Sequence, residues 1–171
     1  MRNPVFTVYY FAIGLLAVIL EAYKLFYPTL IVKAMIIPIL MVYYYYKVKE
    51  RFYLLHILIL LGLFFSWIGE GFLHFAEYKS GPEENKTLFL LLALVLFSLT
   101  QISYITAFLL PKGGNPILNR RLYLPFLVVG YGALIIWLLY NKLGEMRVPV
   151  IIYTAIILVM LLTALNRHGK V

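Results

Sequence analysis

The sequence predicts an all-α bundle of membrane-spanning helices, and three observations predict it. The chain is 64% apolar and 13% charged, with a mean hydropathy of +0.93, where soluble domains are about half apolar and about a quarter charged. Charged or Gly/Pro-containing breaks divide it into six apolar runs of spanning length. Runs such as Leu88 to Phe97 do not alternate in polarity, as a β-barrel strand would, so helices satisfy the backbone in lipid. A span takes about 20 residues, so 171 residues hold one membrane domain, residues 1–171, and no soluble enzyme domain beside it. The absence of cysteine excludes disulfides, thiolate metal ligands and a cysteine nucleophile. All seven acids are glutamates.

The first span, residues 5–22, follows Arg2 as a signal peptide would. No small-x-small cleavage site precedes Glu21 and Lys24, so it reads as an uncleaved helix. The second, 27–46, holds Lys33 and ends on Tyr43 to Tyr46 before Lys47, Lys49 and Arg51, the arrangement of tyrosines at headgroup level inside a basic border. The third, 53–76, places Ser66, Glu70 and His74 on one face at i, i+4, i+8, with Trp67 beside them. The fourth, 87–110, carries Gln101, Ser103 and Tyr104 toward its inner end. The fifth, 122–140, has Gly130 and Gly132, which permit close packing. The sixth, 148–165, offers Tyr153 and Thr154 near its outer end. Short connections make neighbouring helices antiparallel, and Gly113, Gly114 and Pro116 mark a loop.

Basic residues sort by side of the membrane. Nine (Arg2, Lys47, Lys49, Arg51, Lys112, Arg120, Arg121, Arg167, Lys170) face five (Lys24, Lys79, Lys86, Lys142, Arg147), which predicts that both termini are cytoplasmic. The expected location is the cell (inner) membrane. The high pI is thus a topology signal, and with no soluble basic domain the sequence calls for no nucleic-acid partner.

Two charges lie inside the hydrocarbon, Lys33 and Glu70. Each is costly in lipid unless paired, hydrated or neutral, so each marks a candidate site. Lys33 is six residues from the outer end of its span and Glu70 six from the outer end of the next. Both therefore sit about 9 Å below the outer surface, and a pair between them is expected. With Tyr153 and Thr154 at similar depth, Glu21 closing the first helix, and Gln101, Ser103 and Tyr104 as a floor, the picture is a polar pocket in the outer half of the bundle. Simpler readings stand beside this one. Lys33 snorkels or braces two helices, His74 is interfacial, Tyr153 packs, and Gln101 and Ser98 bond across helices. His56, at the inner border, is given no role. One carboxylate with one histidine is too few ligands for zinc, so the site calls for no metal and no cofactor.

The same residues resemble the YhhN family of lysoplasmalogenase-like membrane proteins. Lys33 matches a lysine that members usually follow with proline, where this chain has Ala34 and delays proline to Pro38. Ser66, Gly69 and Glu70 match Ser-x-x-Gly-Asp with glutamate for aspartate. Phe97 and Tyr104 match Phe-x-x-x-His-x-x-Tyr, with Gln101 in place of histidine. Pro149, Val150, Tyr153, Ile157 and Met160 meet a sixth-helix pattern in full. Members usually have eight helices, and the seventh brings a second acidic motif, Ser-Asp, which residues 1–171 do not contain. The chain is then either a piece of a longer protein or a shortened member.

The resemblance implies hydrolysis of the vinyl-ether bond of lysoplasmalogens to a fatty aldehyde and a glycerophospho-head-group alcohol. Its substrate would be a lysophospholipid-like lipid of the surrounding bilayer. The reaction protonates the enol ether on carbon, adds water to the oxocarbenium ion and collapses the hemiacetal. It needs a general acid that keeps its proton near neutral pH, which burial favours. Glu70 is the candidate acid, Lys33 and Tyr153 join it as catalytic candidates, and Ser66, His74, Gln101 and Tyr104 are substrate-binding candidates. Glu21, read as a solvated boundary residue, is a poor substitute for the second acid, so these 171 residues alone are expected to be inactive or nearly so. Readings from other classes are a non-catalytic lipid-binding protein and a small ion-coupled transporter.

Overall fold

The structure, a computed structural model, describes residues 4–78, 83–110 and 123–167. Among the described residues there are six α-helices, α1 (Pro4–Ala22), α2 (Phe26–Val48), α3 (Leu54–Tyr78), α4 (Glu83–Leu109), α5 (Tyr123–Leu139) and α6 (Arg147–Arg167), and no strand. The loop expected at Gly113, Gly114 and Pro116, and Arg2, Lys79, Lys112, Arg120, Arg121 and Lys170 of the charge count, lie outside the described residues.

Prolines start these helices. Pro4 opens α1, and Pro28, Pro125 and Pro149 each stand third in α2, α5 and α6, where a first-turn N–H has no intrahelical partner to lose. The α1–α2 hairpin closes through a Schellman turn. Leu25 N–H donates to the Leu20 carbonyl at 3.2 Å and Lys24 N–H to Glu21 at 2.9 Å. Lys24 takes the left-handed conformation, φ 54°, that this cap requires and glycine usually supplies. The turn is tight, so Glu21 ends α1 close to the first turns of α2.

The chain is a multi-pass membrane protein. Helices α2 to α6 are long and apolar enough to cross a bilayer, while the apolar stretch of α1, Phe6–Ala22, is shorter. Burial is inverted relative to a soluble protein. The buried apolar residues are Ala17, Ala76, Ala93, Ala107 and Val128, whereas Phe126 is 79% and Trp137 73% exposed. Small residues inside and large apolar ones outside is the pattern of helices solvated by lipid, where close backbone approach rather than water exclusion drives packing.

Helices pack in a row: α1 on α2, α2 on α3, α3 on α4, α4 on α6, and α6 on α5. The α3–α4 pair is the most extensive. Gly62 and Gly69, two turns apart, make it so. A Cβ at Gly62 would meet the Tyr104 ring at 2.5 Å, and one at Gly69 would meet Phe97 at 3.2 Å. Thr100 Oγ1 also donates to the Gly62 carbonyl at 3.1 Å. Chain order breaks at the far end, where α6 lies between α4 and α5. The Arg167 guanidinium stands 5.6 Å over the Phe108 ring, so α4 and α6 finish at the same end and run parallel.

Candidate functional site

Three charged side chains from the first three helices meet. Lys33 Nζ on α2 lies 2.5 Å from Glu21 Oε2 on α1 and 3.3 Å from Glu70 Oε1 on α3. The Lys33–Glu70 pair expected from matched depth is present, and Glu21 joins it. The sequence places Glu21 at the edge of the polar pocket as a solvated boundary carboxylate; the hairpin turn brings it onto Lys33. The C-terminal end of a helix carries partial negative charge, so a carboxylate ending α1 gains from the ammonium that faces it. One cation serves two carboxylates, and all three side chains are partly shielded, 23% exposed for Lys33, 34% for Glu21 and 30% for Glu70.

What holds Lys33 at this level is the next residue. Pro38 inside α2 has no N–H, so the carbonyl four residues back, that of Ala34, loses its helical donor. Trp67 Nε1 on α3 donates to that carbonyl at 2.8 Å. In hydrocarbon no water can serve a freed carbonyl, so the proline creates an acceptor and the indole fills it. A second tie lies toward the outer end, where His74 Nε2 donates to the Phe26 carbonyl at 3.2 Å and the ring stacks on Phe26 at 4.9 Å. His74 is 1% exposed.

Two hollows flank the charged cluster and share Lys33 and Glu70. One, about 200 Å³, lies between α2 and α3 and is lined by Trp67, Gly71 and His74 among others. The other, about 340 Å³, lies along α1 and α2, and beyond Glu21, Lys33 and Glu70 its lining is Gly14, Ala17, Val18, Ile36 and Ile37. A charged cluster thus stands between a hollow that includes Trp67 and His74 and one whose other walls are aliphatic.

The remaining candidates go elsewhere. Ser66 lies one turn from Glu70 but outside the lining of both hollows. Tyr104 packs its ring on Gly62, two turns or about 12 Å along α3 from Glu70. The Gln101 side chain on α4 comes close enough to the Tyr153 hydroxyl on α6 to interact with it. Because Gly69 faces Phe97, Glu70 stands level with about residue 96 of α4, roughly 8 Å from the level of Gln101. Tyr153 therefore belongs with Gln101 in a second polar contact, between α4 and α6. The depth count from the start of the sixth span missed this because it took all helices to begin at one plane.

Residues 28–171 match the family model described as the YhhN family. No curated protein and no solved structure matches the chain.

Proposed function

Because the chain belongs to the YhhN family, we propose that it is a lysoplasmalogenase-like membrane hydrolase whose reacting groups are Glu21, Lys33 and Glu70. The observation that carries this is the second carboxylate. Vinyl-ether hydrolysis asks for one carboxyl that delivers a proton and another group that stabilises the cation and receives a proton from water, and Glu21 and Glu70 flank one ammonium.

Glu70, the more loosely held at 3.3 Å, delivers its proton to the β-carbon of the enol ether and leaves an oxocarbenium ion. Glu21, held against Lys33 as a carboxylate, faces that cation and takes a proton from the attacking water. The hemiacetal collapses when the ether oxygen receives that proton and the hydroxyl gives its own to Glu70, which restores both groups and releases aldehyde and alcohol. Lys33 keeps the two carboxylates apart in role as well as in space. The reading includes a lysophospholipid-like substrate drawn from the bilayer, residence in the cell membrane and both termini in the cytoplasm. Tyr153, beside Gln101, has a positioning role for α6 in it.

The test is aldehyde release from a 1-alkenyl lysophospholipid by the purified chain in micelles. With Glu21 as the second carboxyl, turnover by these 171 residues is expected in place of the inactivity the sequence alone suggested, with Glu70→Gln and Glu21→Gln each lowering kcat by about 10²-fold or more. Absence of aldehyde, or wild-type turnover in Glu70→Gln, sinks the hydrolase reading. Loss in Glu70→Gln with full turnover in Glu21→Gln assigns the second acid to another residue.

A further inference from the structure

The α1–α2 hollow is lined on α1 by Gly14, which puts no side chain into it. A Cβ built there meets nothing within 4 Å, although Gly14 lines the hollow together with Ile36 and Ile37 of α2. The absence of a side chain is therefore not needed for close packing, unlike at Gly62. It weakens the helix relative to alanine and returns only space. The space is directional. From Gly14 to Glu21 is seven residues, so the hollow runs about 10 Å along α1 and ends on the carboxylates of Glu21 and Glu70 and the ammonium of Lys33. Its other walls, Ala17 and Val18 with the two isoleucines, carry no polar side-chain atom.

A groove of this kind, aliphatic along its length and charged at one end, complements an amphiphile with a single hydrocarbon chain. It lies on a bundle whose outside is solvated by lipid. The α2–α3 hollow is the poorer fit for a chain, because it is smaller and walled by Trp67 and His74. We propose that the α1–α2 hollow seats the hydrocarbon chain of a one-chain lipid with its polar end at Glu21, Lys33 and Glu70, and that Gly14 sets the chain length accepted. The assignment of the occupant to a one-chain lipid rests on the hydrolase reading; the geometry of the groove does not. A leucine at position 14 would stand in the groove about 10 Å from Glu21. Chains that stop short of it keep their site, and chains that pass it lose contact.

The probes are saturated 1-alkyl ether lysophospholipids with hexyl, dodecyl and hexadecyl chains, which lack the vinyl bond and cannot be cleaved. Lipid retained by the full chain on release from detergent micelles is read by native mass spectrometry for wild type, Gly14→Leu and Gly71→Leu. Wild type is expected to retain hexadecyl most strongly. Gly14→Leu is expected to retain hexadecyl about tenfold less, the loss of roughly two methylenes from an apolar seat, and hexyl unchanged. Gly71→Leu, which adds a side chain to the other hollow where a Cβ also meets nothing, is expected to keep the wild-type order of chain lengths. Circular dichroism and the thermal midpoint of each variant show that it is folded before retention is compared. An unchanged hexadecyl-to-hexyl ratio in folded Gly14→Leu overturns the inference, as does the same shift in Gly71→Leu. If Gly14→Leu shifts the ratio while wild type releases no aldehyde from the alkenyl substrate, the groove stands and the hydrolase reading falls. If aldehyde is released and the ratio does not move, the reverse holds.

Discussion

Replacing Trp67 with phenylalanine removes one hydrogen bond together with the five-membered ring of the indole, and the structure shows which acceptor is left behind. Its acceptor is the Ala34 carbonyl, 2.8 Å from Nε1, which Pro38 deprives of its helical partner. A neutral hydrogen bond exchanged against water contributes about 1 kcal/mol, but a carbonyl left without any donor away from water costs about 1–3 kcal/mol. In a bilayer the second figure applies. Trp67→Phe should therefore destabilise the chain by about 2 kcal/mol, and because Lys33 precedes Ala34, it should also loosen the approach of Lys33 to Glu70. The background decides whether the reasoning is right. In Pro38→Ala the helix supplies an N–H to the same carbonyl, so Trp67→Phe should cost at least about 1 kcal/mol less there. Both backgrounds would be measured by reversible unfolding in mixed detergent and dodecyl sulfate micelles, following far-ultraviolet circular dichroism. Equal costs of Trp67→Phe in the two backgrounds would refute the argument, since the indole would then be valued only for its packing.

Lys33→Met leaves Glu21 and Glu70 facing each other without their cation, and is expected to cost about 2–3 kcal/mol in the same unfolding assay. That is below the ~3–5 kcal/mol for breaking a fully buried pair, because the three side chains are 23–34% exposed. The triple replacement with Glu21→Gln and Glu70→Gln should be more stable than Lys33→Met alone, and a triple variant as unstable as the summed singles would show the three to be uncoupled. Gly62→Ala drives a Cβ to within 2.5 Å of the Tyr104 ring and should cost about 1–3 kcal/mol. Gly132→Ala meets the Leu158 side chain, Cδ1 at 2.6 Å, Cδ2 at 2.9 Å and Cγ at 3.1 Å, an aliphatic group that can change rotamer where the Tyr104 ring is fixed by packing, so its unfolding midpoint should shift less; the opposite order would mean that α3 and α4 are not held by the Gly62 contact. Reporter fusions at Lys79 and Glu84 should score outside the cytoplasm, from the nine-to-five division of basic residues, and cytoplasmic scores would reverse the topology.

The sequence by itself determined the membrane character, the helical class and the residues that matter most inside the bilayer. Hydrophobic run length and the cost of charge in lipid are local properties, so Lys33 and Glu70 stood out without any knowledge of packing. Their pairing was legible too, because two helices joined by a short connection are neighbours and equal depth can be counted in residues. The ordered motifs around Lys33, Glu70, Phe97, Tyr104 and Tyr153 also pointed to the family that residues 28–171 match.

Glu21, the Trp67 tie and the place of Tyr153 were decided only by the tertiary structure. Counting along α1 puts Glu21 at a helix end; it takes the left-handed turn at Lys24 and the reach of the Lys33 side chain to turn that end into part of the cluster. Pro38 is visible as a missing donor, but which side chain answers the Ala34 carbonyl depends on how α3 lies against α2. Tyr153 and Glu70 looked level because depth was counted from each helix end, whereas α6 packs beside α4 out of chain order and meets Gln101 instead. Local chemistry says which groups need partners in a low-dielectric medium. The relative shift and order of helices, set by where small residues let backbones approach, says which partners they get.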